Sequence, residues 1–291
     1  MKRIYSFFCM LLAMASLIWL VLRFPVDSPA LQPFPIILPP PAMARPVDEL
    51  VIFYSGDGGW SGGDGWGSLE QNVSRQLNER GYGVLGISTL AYFWREQPVA
   101  SSAAELDDLI TAYRKEWRTP HVWLIGFSFG ANVLPSLVNQ LKPEHRASIT
   151  QLSLLEPTQD VFFEVELEDY MTVGWLNRIS QTLRHMRQPV SHHDPLPALR
   201  QLQGQMPITC FYSTGETPGA CIQPSLPAWI TKVESHGGHY FNGDFDTLVR
   251  QLIEQHSAVH DGPSARRATT APAPRSPSPA PPPTPRHTPG R

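Results

Sequence analysis

The middle of the chain alternates between two hydrophobic patterns. Short continuous apolar runs, "LVIFYS" (50–55), "YGVLGIS" (82–88) and "HVWLIG" (121–126), suit strands buried on both faces. Between them lie segments with helical spacing. "SLEQNVSRQLNERG" offers Ser68 as N-cap, Gln71 at the capping-box position and Gly81 as a stop. In "SSAAELDDLITAYRKEW" (101–117), Leu106, Leu109, Ile110, Tyr113 and Trp117 recur at three- and four-residue intervals. "ANVLPSLVNQL" reads as a helix, with Pro135 expected near its first turn or at a kink. "ITQLSLLEP" (149–157), "MPITCFYS" (206–213) and "AWITKVE" (228–234) read as further strands, and "DFDTLVRQLIEQH" (244–256) as a closing helix. This alternation predicts an α/β fold with a mainly parallel central sheet and helices on both faces. Residues 157–205 are less regular and more polar, and are expected to form a small cap insertion over the strand ends.

The two ends of the chain break the pattern. Lys2 and Arg3 precede an uncharged, largely apolar run from Ile4 to Leu22. At helical rise it would span about 28 Å, close to a bilayer's hydrocarbon thickness. Residues 1–23 are therefore read as a membrane anchor or a signal segment. The basic start favours an N-terminus in the cytoplasm and a domain in the periplasm, anchored to the inner membrane by residues 4–22. Ala42-Met43-Ala44 has the spacing of a signal-peptidase site but lies far beyond the run. Residues 24–46 are proline-rich and read as an extended tether, unable to hold a helix or a central strand. Residues 257–291, ending "RSPSPAPPPTPRHTPGR", lack the apolar content to order and read as a disordered tail. That leaves 47–256 for one globular domain.

A formal charge of −3 without a basic block points away from nucleic acid. No cofactor is called for: no Cys/His cluster has metal-ligand spacing, and "SHHDP" stands alone. Cys210 and Cys221, in an exported domain, are expected to form a disulfide rather than remain thiols. Oligomeric state is not legible.

The candidate chemistry starts at "LIGFSFGANVLP" (124–135). Gly126-Phe-Ser-Phe-Gly130 ends an apolar strand and opens a helix, the setting a nucleophile elbow requires, so Ser128 is the candidate nucleophile. In that arrangement acid and base follow in chain order. His239, in "ESHGGHYFNGD" (234–244), comes after the last strand behind two glycines and is preferred over His236 as the base. Glu216 is the one carboxylate between Asp194 and Glu234, and elimination makes it the orienting acid, with Asp194 as runner-up. The oxyanion would be held by the Phe129 amide and by Gly58 or Asp57 in "YSGDGGW" (54–60). Those glycines lack the endings of phosphate-binding loops. Tyr92, Phe93 and Trp94, just past a strand's C-terminal end, are expected either to pack in the core or to form a substrate wall.

At these residues the sequence resembles the VirJ/AcvB family of bacterial virulence factors. The matching pieces are "FYSGDGGW", "YFWRE", "GFSFGANVLP", the cysteine after Glu216 and "GGHYFNGD", in family order over about 50–254. The resemblance implies an α/β-hydrolase fold and a periplasmic serine hydrolase that cleaves lysyl- or alanyl-phosphatidylglycerol, a membrane phospholipid substrate, to amino acid and phosphatidylglycerol. Ser128, His239 and Glu216 map onto its triad. The alternatives are a generic periplasmic carboxylesterase or lipase, and a non-catalytic accessory of virulence or secretion. The chain departs from the family pattern at Asn132 and Asn242, where aspartates are expected, and in the inserted "SGGDGWG" after Trp60. Asn132 is therefore a candidate substrate contact bearing on the aminoacyl preference.

Overall fold

The computed structural model describes residues 10, 12, 14–16, 35–42, 47–60, 68–94, 96–161, 163, 193–215 and 219–260. Among them, seven strands form one sheet: β1 (Ile36–Leu38), β2 (Glu49–Tyr54), β3 (Gly83–Ile87), β4 (His121–Phe127), β5 (Ile149–Leu155), β6 (Ile208–Ser213) and β7 (Thr231–Ser235). Their order is β1-β3-β2-β4-β5-β6-β7, parallel throughout except for β1, which pairs antiparallel with β3. The helices are α1 (Leu69–Glu79), α2 (Thr89–Tyr92), α3 (Val99–Trp117), α4 (Phe129–Gln140), α5 (Pro143–Arg146), α6 (Leu196–Gln201) and α7 (Phe245–His260).

The continuous apolar runs are explained by burial on both faces. In β2, Leu50, Ile52 and Tyr54 enter one core while Val51 and Phe53 enter the other. Leu106, Leu109 and Ile110 of α3, the apolar face of α4, and Leu196 and Leu199 of α6 close the first face. Leu69, Val73 and Leu77 of α1 and Leu248, Val249 and Leu252 of α7 close the second. Every parallel crossover returns the chain so that strand C-termini share one edge, where ligands gather in open sheets.

Three sequence expectations change. The tether reading of 24–46 gives way at Ile36–Leu38, which adds an edge strand to β3. Proline is tolerated there because an outer strand needs partners on one side only. The sheet therefore begins before residue 47. Gln71 does not complete a capping box. Ser68 Oγ does accept the Gln71 amide (3.2 Å), but the Gln71 side chain donates to Trp60 O (2.8 Å). Pro135 lies well inside α4, and the helix runs through it.

The tail 261–291, most of the proposed anchor, the insertion 61–67 and most of the cap lie outside the described residues. Met10, Leu12 and Met14 are helical and exposed. Among the described residues, no helix is long and apolar enough to cross a membrane.

Candidate active site

Ser128 stands between β4 and α4 with φ 49°, ψ −112°, a strained conformation for a residue with a Cβ. Its amide donates to Leu155 O (2.8 Å), and the amide of Gly130 donates to Ser55 O (3.0 Å). The elbow is thus fastened to β5 on one side and to the exit of β2 on the other. The flanking glycines are steric requirements. A Cβ on Gly126 would meet the Ala131 nitrogen at 2.6 Å, and one on Gly130 would meet Tyr54 O at 2.4 Å. Helix α4 begins at Phe129, so its first-turn amides and positive dipole end stand directly behind the serine.

The loop after β2 lies against this elbow. A Cβ on Gly56 would come 3.1 Å from the Phe127 ring and 3.5 Å from Ser128 Cβ. The Gly56 peptide is held at both ends. Its amide donates to Glu70 Oε1 (3.0 Å), and its carbonyl accepts Thr89 Oγ1 (2.5 Å) and the Gly59 amide (3.0 Å). Thr89 N donates to Ser55 Oγ (3.0 Å). Trp60 is buried in the second core, edge-on to Phe53 at 5.8 Å, and anchors the far end of the turn. Asp57 and Gly58 sit at the tip between these anchors, and Gly58 is exposed. Such fixation suits an oxyanion donor, whose dipole must not reorganise during reaction. Because the Gly56 amide is committed to Glu70, the candidate donors in this loop are Gly58 and Asp57.

Glu70 is the residue that the sequence pattern does not flag. It is buried and sits in the first turn of α1, next to the Ser68 cap. Burial pushes its carboxyl pKa up, against the opposing pull of the Gly56 amide. An acid in a helix's first turn is common enough to carry no signal. Only the approach of α1 to the β2 exit reveals its work.

His239 follows β7 and packs beside Phe127. Its ring centroid is 5.0 Å from that of Phe127, the residue before Ser128. His236 is exposed. Glu216 lies outside the described residues, but its loop is tied at both ends. Gly215 N donates to Gly237 O (2.8 Å), and Ala220 N donates to Pro157 O (2.8 Å). Cys210 and Cys221 form a disulfide with Cα atoms 5.7 Å apart, closing that loop. The runner-up Asp194 is exposed, and its Oδ1 accepts the Leu196 amide (2.9 Å) as α6 begins.

The aromatic run resolves toward packing. Phe93 is fully buried, with its ring 5.2 Å from Phe129 and 6.3 Å from Phe163. Tyr92 is buried, its hydroxyl 3.2 Å from Ser102 Oγ and 3.1 Å from Glu105 Oε1, and burial pushes its pKa up to about 12. The substrate-wall expectation therefore fails for these two, because they fill the space under the elbow. Trp94 is half-buried. Asn132 also has another task. Its Nδ2 donates to Thr158 Oγ1 (2.6 Å) and Asp160 O (3.1 Å), and its Oδ1 accepts the Thr158 amide (2.9 Å). It clamps the segment after β5 onto α4 rather than presenting its amide to a ligand.

A family model described as bacterial virulence protein (VirJ) matches residues 48–259. The chain belongs to the VirJ family. None of the curated proteins matches it significantly. Solved structures with the same fold include a soluble variant of monoglyceride lipase from Saccharomyces cerevisiae, 10% identical with a TM-score of 0.51, covering 77% of this chain and 91% of that one. Est1E from Butyrivibrio proteoclasticus is 12% identical with a TM-score of 0.49, covering 75% and 92%. The Pyrococcus furiosus esterase Pf2001 is 13% identical with a TM-score of 0.48, covering 71% and 79%. At these identities the likeness is one of fold: this VirJ chain has the α/β-hydrolase fold, with the mainly parallel sheet expected from its sequence.

Proposed function

We propose that this VirJ protein is an exported serine ester hydrolase that cleaves the aminoacyl ester of aminoacyl-phosphatidylglycerol. Ser128 Oγ attacks the ester carbonyl. His239 takes the serine proton and returns it to the glycerol oxygen as phosphatidylglycerol leaves. Water, deprotonated by His239, then releases the free amino acid and restores Ser128. Glu216 orients His239, and the amides of Phe129 and Gly58 hold the oxyanion. Residues 4–22 would tether the domain to the inner membrane, raising the effective concentration of a lipid substrate. The observation that carries this reading is the left-handed Ser128 at a strand-helix junction, with the His239 ring 5.0 Å from the ring of its neighbour Phe127. The aminoacyl lipid as substrate rests on the family resemblance.

The test uses full-length protein in detergent, because truncation near residue 45 would remove β1. Wild type and Ser128→Ala are assayed on lysyl-, alanyl- and unmodified phosphatidylglycerol and on a short p-nitrophenyl ester. Ser128-dependent release of amino acid is the expected result. Turnover of the short ester alone would leave a generic esterase, and no Ser128-dependent turnover at all would sink the enzyme reading.

A further inference from the structure

The direction of one short strand fixes where the chain enters the domain. β1 pairs antiparallel with β3, Ile36 opposite Gly86 and Leu38 opposite Val84. β3 runs with β2 and β4 toward the edge that carries Ser128. β1 therefore starts at that edge and runs away from it. At its other end, Asn78 in the last turn of α1 donates to Pro39 O (2.8 Å). A Cβ on Gly83, the first residue of β3, would meet Pro40 at 3.0 Å. Whatever precedes Ile36 thus joins the domain on the active-site edge. Three strand spacings separate β1 from β4, so the entry lies about 15 Å to the side of the elbow.

The chain leaves by the opposite edge. α7 starts at Phe245, beyond β7, and runs back until His256 stands 3.0 Å from Glu49 at the start of β2.

The reach of the connecting chain decides which edge would meet a membrane. From Leu22, the last residue of the apolar run, to Ile36 the chain spans at most about 50 Å. A domain of this size is about 40 Å across. To turn the opposite edge to a bilayer, the connection would have to run back along the whole domain and use nearly all its reach. To turn the active-site edge, it needs almost none.

The same edge carries apolar surface. Among the described residues from 35 onward, the large apolar side chains left exposed are Ile37, Ile222 and Tyr240. Ile37 is on the entry strand. Tyr240 follows His239, its ring 5.5 Å from that of Phe127. Ile222 ends the turn whose Ala220 amide bonds Pro157 O just past β5. An aromatic ring with one polar end suits the headgroup layer. The opposing pull comes from exposed Arg118 and Lys142, which precede β4 and β5 at the other edge. Their attraction to anionic headgroups fades within about 8 Å at physiological salt, whereas a tether constrains the domain at any distance.

We infer that the active-site edge is a membrane-facing surface, held against a phospholipid bilayer with Tyr240 and Ile222 toward the headgroup layer. This rests on the tether reading of residues 4–22 above, and it holds whatever ester Ser128 attacks. A lipid ester then meets Ser128 after a short rise from its own layer, without crossing water.

The test uses the full-length chain carrying Cys9→Ser, in vesicles of phosphatidylethanolamine and phosphatidylglycerol with nitroxide-labelled headgroups as quencher. Cys210 and Cys221 are bonded to each other, so without reductant an added cysteine alone takes a fluorescent label. The label is introduced by Tyr240→Cys or Asp160→Cys at the active-site edge and by Glu144→Cys at the opposite edge, all exposed positions. Labels at 240 and 160 should lose about half their emission or more, since a contacting surface comes within about 5–10 Å of the headgroups, and the label at 144 should lose little. Quenching at 144 as strong as at the other two would overturn the proposal. So would the absence of quenching at every site in protein that floats with the vesicles. Protein that does not float at all would sink the tether reading and the proposal with it, an outcome that flotation separates from the other two.

Discussion

The two edges of the sheet handle buried charge in opposite ways. At the strand N-termini, buried acids meet histidines. Glu49 at the start of β2 faces His256 near the end of α7 at 3.0 Å and accepts the Thr150 hydroxyl, while the Trp123 ring lies tilted against the imidazole at 4.2 Å. On the first face, Asp107 meets His145 at 2.5 Å and also accepts the Lys142 amide. At the strand C-termini the buried carboxylates serve other ends. Glu70 holds a backbone amide, and Glu156 sits on a strained backbone beside Ser128. Among the described residues, four of the five left-handed non-glycine positions, Ser128, Glu156, Phe241 and Asn242, lie at this edge, and Arg118, which caps α3, is the exception. One edge stabilises the sheet, and the other holds strain that the rest of the fold must offset.

The largest effect that would test this division is at Ser128. Ser128→Ala should lower kcat on the order of 10⁴-fold or more, measured by amino-acid release, while its melting temperature stays close to wild type. A variant that unfolded instead would mean the elbow is also a structural keystone. His256→Ala should do the reverse. Leaving the buried Glu49 without its imidazole partner should cost about 1–3 kcal/mol in chemical denaturation, with kcat/KM near the wild-type value in the folded fraction. Loss of turnover without loss of stability would break the comparison from the other side.

The disulfide lies between these extremes. Cys221→Ser should cost about 2–4 kcal/mol and should also lower turnover, because the Glu216 loop closed by Cys210 and Cys221 loses a tie. Reducing agent should reproduce both changes in wild type and neither in the variant.

The smallest effect sharpens the role of Glu70. Its folded-state pKa is raised by burial, so the folded state binds the proton more tightly than the unfolded state. Stability is then lost as pH rises from the ordinary carboxylate range through the raised value. Glu70→Gln keeps an acceptor for the Gly56 amide and removes this penalty. Its melting temperature should gain on wild type as pH rises above the ordinary carboxylate range, with little change at the acid end. Glu70→Ala, which removes the acceptor, should lower kcat about 10-fold or more if the loop loses its fixation.

The elbow was legible because its parts are local. An elbow needs small residues around a serine between a strand and a helix, and all of that lies within "LIGFSFGANVLP". Glu70 and Thr89 were not legible, because each is an ordinary residue in its own segment and gains meaning from a neighbour far along the chain. Phe93 and Asn132 misled for the same reason. An aromatic at a strand end and an amide on a helix can face a ligand or the protein, and the sequence does not say which.

The apolar rhythm by itself determined the sheet and its covering helices, because burial on two faces demands continuous apolar runs and parallel crossovers demand helices between them. The tertiary structure alone decided which side chains meet. Strands that are neighbours in space, β2 with β4 and β5 with β6, are separated in sequence by whole elements. The hydrogen bonds that fix the Gly56 peptide, clamp Asn132 and set Glu156 beside Ser128 exist only once those strands have aligned.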